Sequence, residues 1–135
     1  MSDEYEFEDV TTDAAVATYQ ASTPIFEGLI KEIRELSRKK PDATMSPGKV
    51  KMVNRVLNDL LSILKAEPTG KYLEILNDES LPQVSDAVLT MVQFESALEA
   101  FGSKYRQFVD GERYWITQET LDAWNADSRE EDSEN

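Results

Sequence analysis

From Val84 to Phe108 an apolar or aromatic side chain returns at alternating intervals of three and four residues. One row reads Val84, Met91, Leu98, Tyr105 and the other Ala87, Phe94, Phe101, Phe108. A heptad held that long predicts a helix whose seam packs lengthwise on other helices. Prolines bound it and its neighbours. Thr23-Pro24 and Ser46-Pro47 each place a capping hydroxyl before a first-turn proline, and Ser80-Leu81-Pro82 does so one residue later. Pro41 follows the basic run Arg38-Lys39-Lys40, as suits a helix C-terminus, and Pro68 precedes Thr69-Gly70, a turn signal. These marks predict helices over 24–40, 47–66, 70–77 and 82–109. The first carries Phe26, Leu29, Ile33 and Leu36 on its seam with Ile30 beside them. The second carries Val50, Val53, Leu57, Leu60 and Leu64, and the short third crowds Tyr72, Leu73, Ile75 and Leu76 on one side.

The ends are less regular. Tyr19 falls in phase with Phe26, so 13–40 is either one helix passing through Pro24 or two helices parted by it. Asp110-Gly111 is expected to stop the long helix. Tyr114-Trp115-Ile116 then has strand character, and Thr117 caps a short helix carrying Leu121 and Trp124, with 126–135 read as a disordered tail. Glu4-Tyr5-Glu6-Phe7-Glu8 alternates strictly, which predicts a strand that pairs with 114–116. The fold class is therefore all-α: an antiparallel helical bundle of three long helices plus short helices, with a small terminal two-stranded ribbon. The organisation expected is an acidic N-terminal segment (1–22), the bundle (23–116), and a short helix with an acidic tail (117–135). An overhang of the long helix at Tyr105–Val109 has to be covered by the C-terminal segment or by a second copy, which makes a homodimer through the 82–109 helix one expectation.

Composition narrows the function classes. At 135 residues the chain suits one hydrophobic core, and no apolar run approaches the roughly 18 residues of a membrane span. Met1-Ser2-Asp3-Glu4 lacks the basic and apolar regions of a secretory signal, and with no cysteine present a cytoplasmic protein away from membranes is expected. The chain also has no histidine. Ser-His and Cys-His nucleophiles are excluded, and so are the commonest ligands of zinc and copper, so neither an enzyme nor a cofactor or metal is expected. Gly70-Lys71 and Gly48-Lys49 fail as phosphate loops. They lack the glycine five residues upstream (Lys65 and Ala43 stand there) and the following hydroxyl (Tyr72 and Val50). Asp-x-Asp-x-Asp-Gly spacing for calcium is absent, and the tail acids Glu130, Glu131 and Asp132 on a flexible end make no site.

Charge changes the picture most. The formal net charge of −13 is uneven: residues 1–22 hold six acids and no base, and 116–135 hold seven acids against Arg129 alone. Within 31–55 the sign reverses, with eight bases against three acids. The acidic ends, with aromatic residues among the carboxylates, point to a non-catalytic protein-binding module, a regulator, adaptor or inhibitor that meets a basic partner. Its candidate contacts are Glu4, Tyr5, Glu6, Phe7 and Glu8, with Trp115 and Trp124 as further anchors. The alternatives are a nucleic-acid-associated protein using a basic face of Lys31, Arg34, Arg38, Lys51 and Arg55, or an acidic nucleic-acid mimic. Nucleic acid is disfavoured as partner by the pI near 4.3 and by the absence of aromatic residues among those bases. The basic face otherwise reads as a solvated surface that holds the protein's own acidic ends.

Overall fold

In the computed structural model, helix α1 spans Asp13–Lys39 and starts where the Thr12 hydroxyl accepts a hydrogen bond from the Ala15 N–H (3.1 Å). The structure describes the backbone of residues 4–134 and the side chains of residues 4–130. Asp3, and the side chains of Glu131 and Asp132, expected in the acidic ends, lie outside the described residues. The chain does not part at Pro24. The missing N–H would have bonded the Gln20 carbonyl, and Pro24 and Gln20 are both exposed, where a lost helical bond costs least. The buried stripe of α1 centres on Ile30, with Phe26 and Ile33, and leaves Leu29 and Leu36 half-buried.

Helix α2 (Pro47–Leu64) is capped by Ser46, whose hydroxyl accepts from the Lys49 N–H (3.2 Å), and buries Val50, Val53, Leu57, Leu60 and Leu64. Helix α3 (Val84–Tyr105) buries Val84, Ala87, Met91, Phe94, Ala97, Leu98, Phe101 and Tyr105. Its first N–H groups are bonded by the α1–α2 loop: Val84 donates to the Ala43 carbonyl (2.8 Å) and Ser85 to that of Pro41 (3.1 Å). Met45 in the same loop is 1% exposed and donates to the Pro82 carbonyl (2.8 Å). The C-terminus of α1 and the starts of α2 and α3 thus share one end, and α1 runs antiparallel to both. Farther along, Arg34 pairs with Glu95, and Tyr19 stacks on Phe101 (5.4 Å between centroids). The helical bundle is as the seams predict.

The expected helix over 70–77 is not there. A 3₁₀ turn at Pro68–Tyr72 folds back on the end of α2, so closely that a Cβ on Gly70 would stand 2.4 Å from the Leu64 carbonyl oxygen. From Leu73 to Pro82 the chain returns without helix or strand. Leu73 and Leu76 are buried as a helix would bury them, but the backbone is satisfied from outside. The Asn54 amide donates to the Leu76 carbonyl (2.8 Å), and the Asn54 side-chain oxygen accepts from the Leu76 N–H (2.9 Å).

The long helix is also shorter than its heptads. It stops at Tyr105, and Arg106–Val109 (β1) pairs antiparallel with Glu112–Trp115 (β2) across the two-residue turn Asp110-Gly111. Both turn residues have positive φ (51° and 85°), the type I′ geometry that matches strand twist. Phe108, expected on the seam, is 70% exposed. The ribbon is therefore a local hairpin, and Glu4–Glu8 is not a strand; pairing two adjacent segments closes a far smaller loop than joining residue 5 to residue 115. Tyr105 is covered by the chain's own C-terminal segment: Ile116, fully buried, donates to the Tyr105 carbonyl (2.7 Å). That removes the overhang on which the expectation of a dimer rested. Thr117 caps helix α4 (Gln118–Glu134), accepting from the Thr120 N–H (3.1 Å). The helix continues through the stretch expected to be disordered.

The chain groups into two compact units, Thr18–Phe101 (the helical unit) and Met1–Ala17 with Gly102–Asn135 (the terminal unit). Replacing Asn54 with alanine strands two buried backbone groups of Leu76. Asn54→Ala is expected to lower unfolding stability by about 2–4 kcal/mol, read as a lower urea midpoint at unchanged slope.

Candidate functional site

The terminal unit is assembled by its N-terminal segment. Thr11 donates to the Ile116 carbonyl (3.0 Å) and accepts from the Gln118 N–H (2.9 Å), and the Asp13 N–H donates to the Glu119 carboxylate (3.0 Å). Nearer the start, the Asn125 side chain grips the Tyr5 backbone, accepting from its N–H (2.8 Å) and donating to its carbonyl (3.3 Å). Arg129 donates twice to one Glu4 carboxylate oxygen (3.1 and 3.0 Å), and Lys104 approaches Asp9 at 3.9 Å. These contacts explain why α4 persists through its polar second half. An isolated acidic helix gains little from solvent, whereas here residues 124–129 hold a second segment of chain.

Tyr5 meets Trp124 at 5.0 Å between ring centroids, inclined by 57°, and Tyr114 meets Trp124 edge-on at 5.1 Å and 85°. With Val109, Asp110, Asp127 and Ser128, these rings line an open cleft of about 430 Å³. The hairpin register decides which strand residues take part. Side chains alternate across the ribbon, so Val109 and Tyr114 face the cleft while Arg106, Phe108, Arg113 and Trp115 share the other face. There Arg106 lies 5.9 Å from the Trp115 ring centroid and Arg113 lies 5.5 Å from that of Phe108.

The expected contact residues thus divide. Tyr5 and Trp124 come together, Glu4 is tied to Arg129, Glu6 and Glu8 are exposed, and Phe7 is half-buried outside the aromatic trio. Trp115 is on the opposite face from Trp124's partner, Tyr114. Tyr114 was missed by the sequence reading, although the Asp-Gly turn followed by alternation marks it. The basic residues do not make a uniform stripe. Arg34 forms a two-point pair with Glu95 (2.9 and 3.3 Å) and Arg38 pairs with Glu35, while Lys31, Lys51 and Arg55 are exposed with no ion pair among the described residues. Lys39 and Lys49 line one depression, but Glu32 and Glu35 line it with them. Of the acids in the N-terminal segment, Glu4 and Asp9 pair within the terminal unit, with Arg129 and Lys104.

The Tyr114 hydroxyl donates to the Glu112 carboxylate (2.5 Å). That acceptor, helped by the negative charges of Glu112 and Asp110, holds the phenol above the ordinary tyrosine value, because the bond exists only while the proton does. Among the described residues no group of three side chains is arranged to hold a metal ion, and no helix is long and apolar enough to cross a membrane. No protein-family model matches the chain, and no curated protein or solved structure is significantly similar to it.

Two outcomes follow from this geometry. Glu112→Gln is expected to bring the Tyr114 pKa down toward the ordinary range in an ultraviolet difference titration. Since the folded value lies above the unfolded one, the bond's stabilisation is complete below the ordinary tyrosine range and is lost as pH rises through the raised value. Asn125→Ala is expected to cost about 1 kcal/mol, because the released Tyr5 backbone is solvated. Hydrogen exchange at the Tyr5 amide accelerates, while amides of α2 stay protected.

Proposed function

We propose that this protein is a non-catalytic protein-binding module whose terminal unit engages a partner with a basic surface. The segregation of charge carries the reading. The terminal unit holds fifteen acids and four bases, a net −11, which leaves −2 for the helical unit. A surface that negative attracts cationic partners from a distance, steers their approach and repels nucleic acid and anionic membranes. Aromatic groups beside the carboxylates supply the contact area that charge alone lacks. The absence of histidine and cysteine supports a role in binding rather than chemistry.

A second version of the same reading gains support from the order of the acidic segments. Mimicry of nucleic acid needs carboxylates at set positions, and Asp122, Asp127 and Glu130 stand on one helix beside the anchored segment with Glu6 and Glu8. In that version the basic partner is a nucleic-acid-binding protein, and added DNA or RNA competes for it.

Deleting the N-terminal segment is a poor test, since it takes the Thr11, Tyr5 and Glu4 contacts with it. Substituting acids that make no intramolecular pair avoids this. Glu6→Gln, Glu8→Gln, Asp110→Asn and Asp127→Asn together remove four charges and no described hydrogen bond. In a pull-down from the native host, the wild-type chain is expected to retain basic proteins at low salt and release them near 0.5 M, where screening falls to about 4–5 Å. The fourfold variant is expected to lose them. An unchanged set of captured proteins with the variant defeats the proposal.

A further inference from the structure

The geometry points to the Tyr5–Tyr114–Trp124 cleft as a seat for the guanidinium group of an arginine presented by a partner protein. This rests on the reading that the terminal unit meets a basic partner, and it names the group that is recognised and the place. The cleft, about 430 Å³, is of the size at which specific recognition occurs. Its walls are of two kinds. Trp124, with Tyr5 inclined against it and Tyr114 edge-on, gives the cleft three aromatic rings at steep angles to one another, and the electron-rich face of such a ring attracts a cation. Asp110 and Asp127 add two carboxylates.

Those carboxylates differ from their neighbours in pairing with no described group of the chain. Glu4 is bonded by Arg129, Asp9 is paired with Lys104, and Glu112 accepts from Tyr114. Asp110 and Asp127 have no ion pair or hydrogen bond among the described residues, although both line the cavity. Asp110 is held there by the left-handed turn (φ 51°) rather than by any contact of its side chain.

The wall chemistry selects among cations. A quaternary ammonium has no N–H and would leave both carboxylates without a donor. A lysine ammonium is compact and strongly hydrated, and gives up more water than a ring face returns. A guanidinium is planar and weakly hydrated, stacks on an aromatic face and still directs N–H groups outward to carboxylates. The chain uses this stacking itself on the other face of the hairpin, where Arg106 lies over Trp115 and Arg113 over Phe108.

The test is calorimetric titration of the full chain with an acetylated, amidated hexa-arginine peptide at low salt. The hexa-lysine and hexa-citrulline peptides serve as charge and shape controls. Two variants of equal net charge are compared: Asp110→Asn with Asp127→Asn in the cleft, and Glu6→Gln with Glu8→Gln outside it. Asparagine is tolerated at positive φ, so the turn is kept. The cleft variant is expected to bind hexa-arginine about tenfold more weakly, and the outside variant less than threefold more weakly. Trp124→Phe, with circular dichroism confirming the fold, is expected to weaken binding in step with the cleft variant. Hexa-lysine is expected to bind more weakly than hexa-arginine, and hexa-citrulline not to bind. Equal losses in the two charge variants, or equal affinity for arginine and lysine peptides, overturn the cleft assignment while leaving the wider acidic-surface reading standing. No binding of hexa-arginine to the wild type overturns both.

Discussion

One buried carboxamide decides the path of the helical unit. After α2 the chain must come back to the end where α2 began, because α3 starts there and has its first N–H groups capped by carbonyls of the α1–α2 loop. A helix over the return would be too short for the distance: at about 1.5 Å per residue it covers less than half of what extended chain does. Extended chain needs partners for its backbone where it becomes buried, and at Leu76 Asn54 provides both a donor and an acceptor. A leucine at 54 would leave Leu76 with two unpaired backbone groups.

That constraint also marks what could be read from the sequence and what could not. Caps and seams are local, and Ser46, Thr117 and the apolar rows of α2 and α3 behave as their spacing predicts. Residues 70–77 carry the same spacing, with Leu73 and Leu76 both inward, but the group that makes a non-helical path affordable is Asn54, on another element. No pattern within 70–77 contains it. At 106–109 two local signals competed. The heptad runs on to Phe108, and Asp110-Gly111 flanked by β-formers is a strong hairpin signal; the positive-φ turn won and exposed Phe108. The heptad misleads there because its last member, Phe108, belongs to a strand, and the hairpin register sets it with Arg106, Arg113 and Trp115 on one face, where arginines rather than apolar groups cover the rings.

The candidate site was half legible for a related reason. Tyr5 and Trp124 stood out as aromatic residues among acids, and both are in the cleft. Their meeting depends on Asn125 and on Arg129, and Arg129 lies in the stretch 126–135 whose composition reads as a disordered tail. Low hydrophobicity argues for disorder only while a segment must order itself alone. Here two polar segments order each other, through five hydrogen bonds between described residues of 4–13 and 119–129 that neither segment could form separately.

Salt acts on such a unit in two opposite directions, and this separates its fold from its proposed role. Eleven net negative charges within one compact unit repel one another, so raising ionic strength relieves strain in the folded state. The Glu4–Arg129 and Asp9–Lys104 pairs are partly solvent-exposed and lose little by comparison. Attraction of a basic partner, by contrast, is weakened by the same screening. A protein that became more stable with salt while letting go of its partner would therefore be releasing it through the electrostatics of the surface, not through loss of the structure that presents it. The aromatic walls of the cleft respond to salt far less than its carboxylates do, so the affinity that persists at high ionic strength measures the stacking part of recognition by itself.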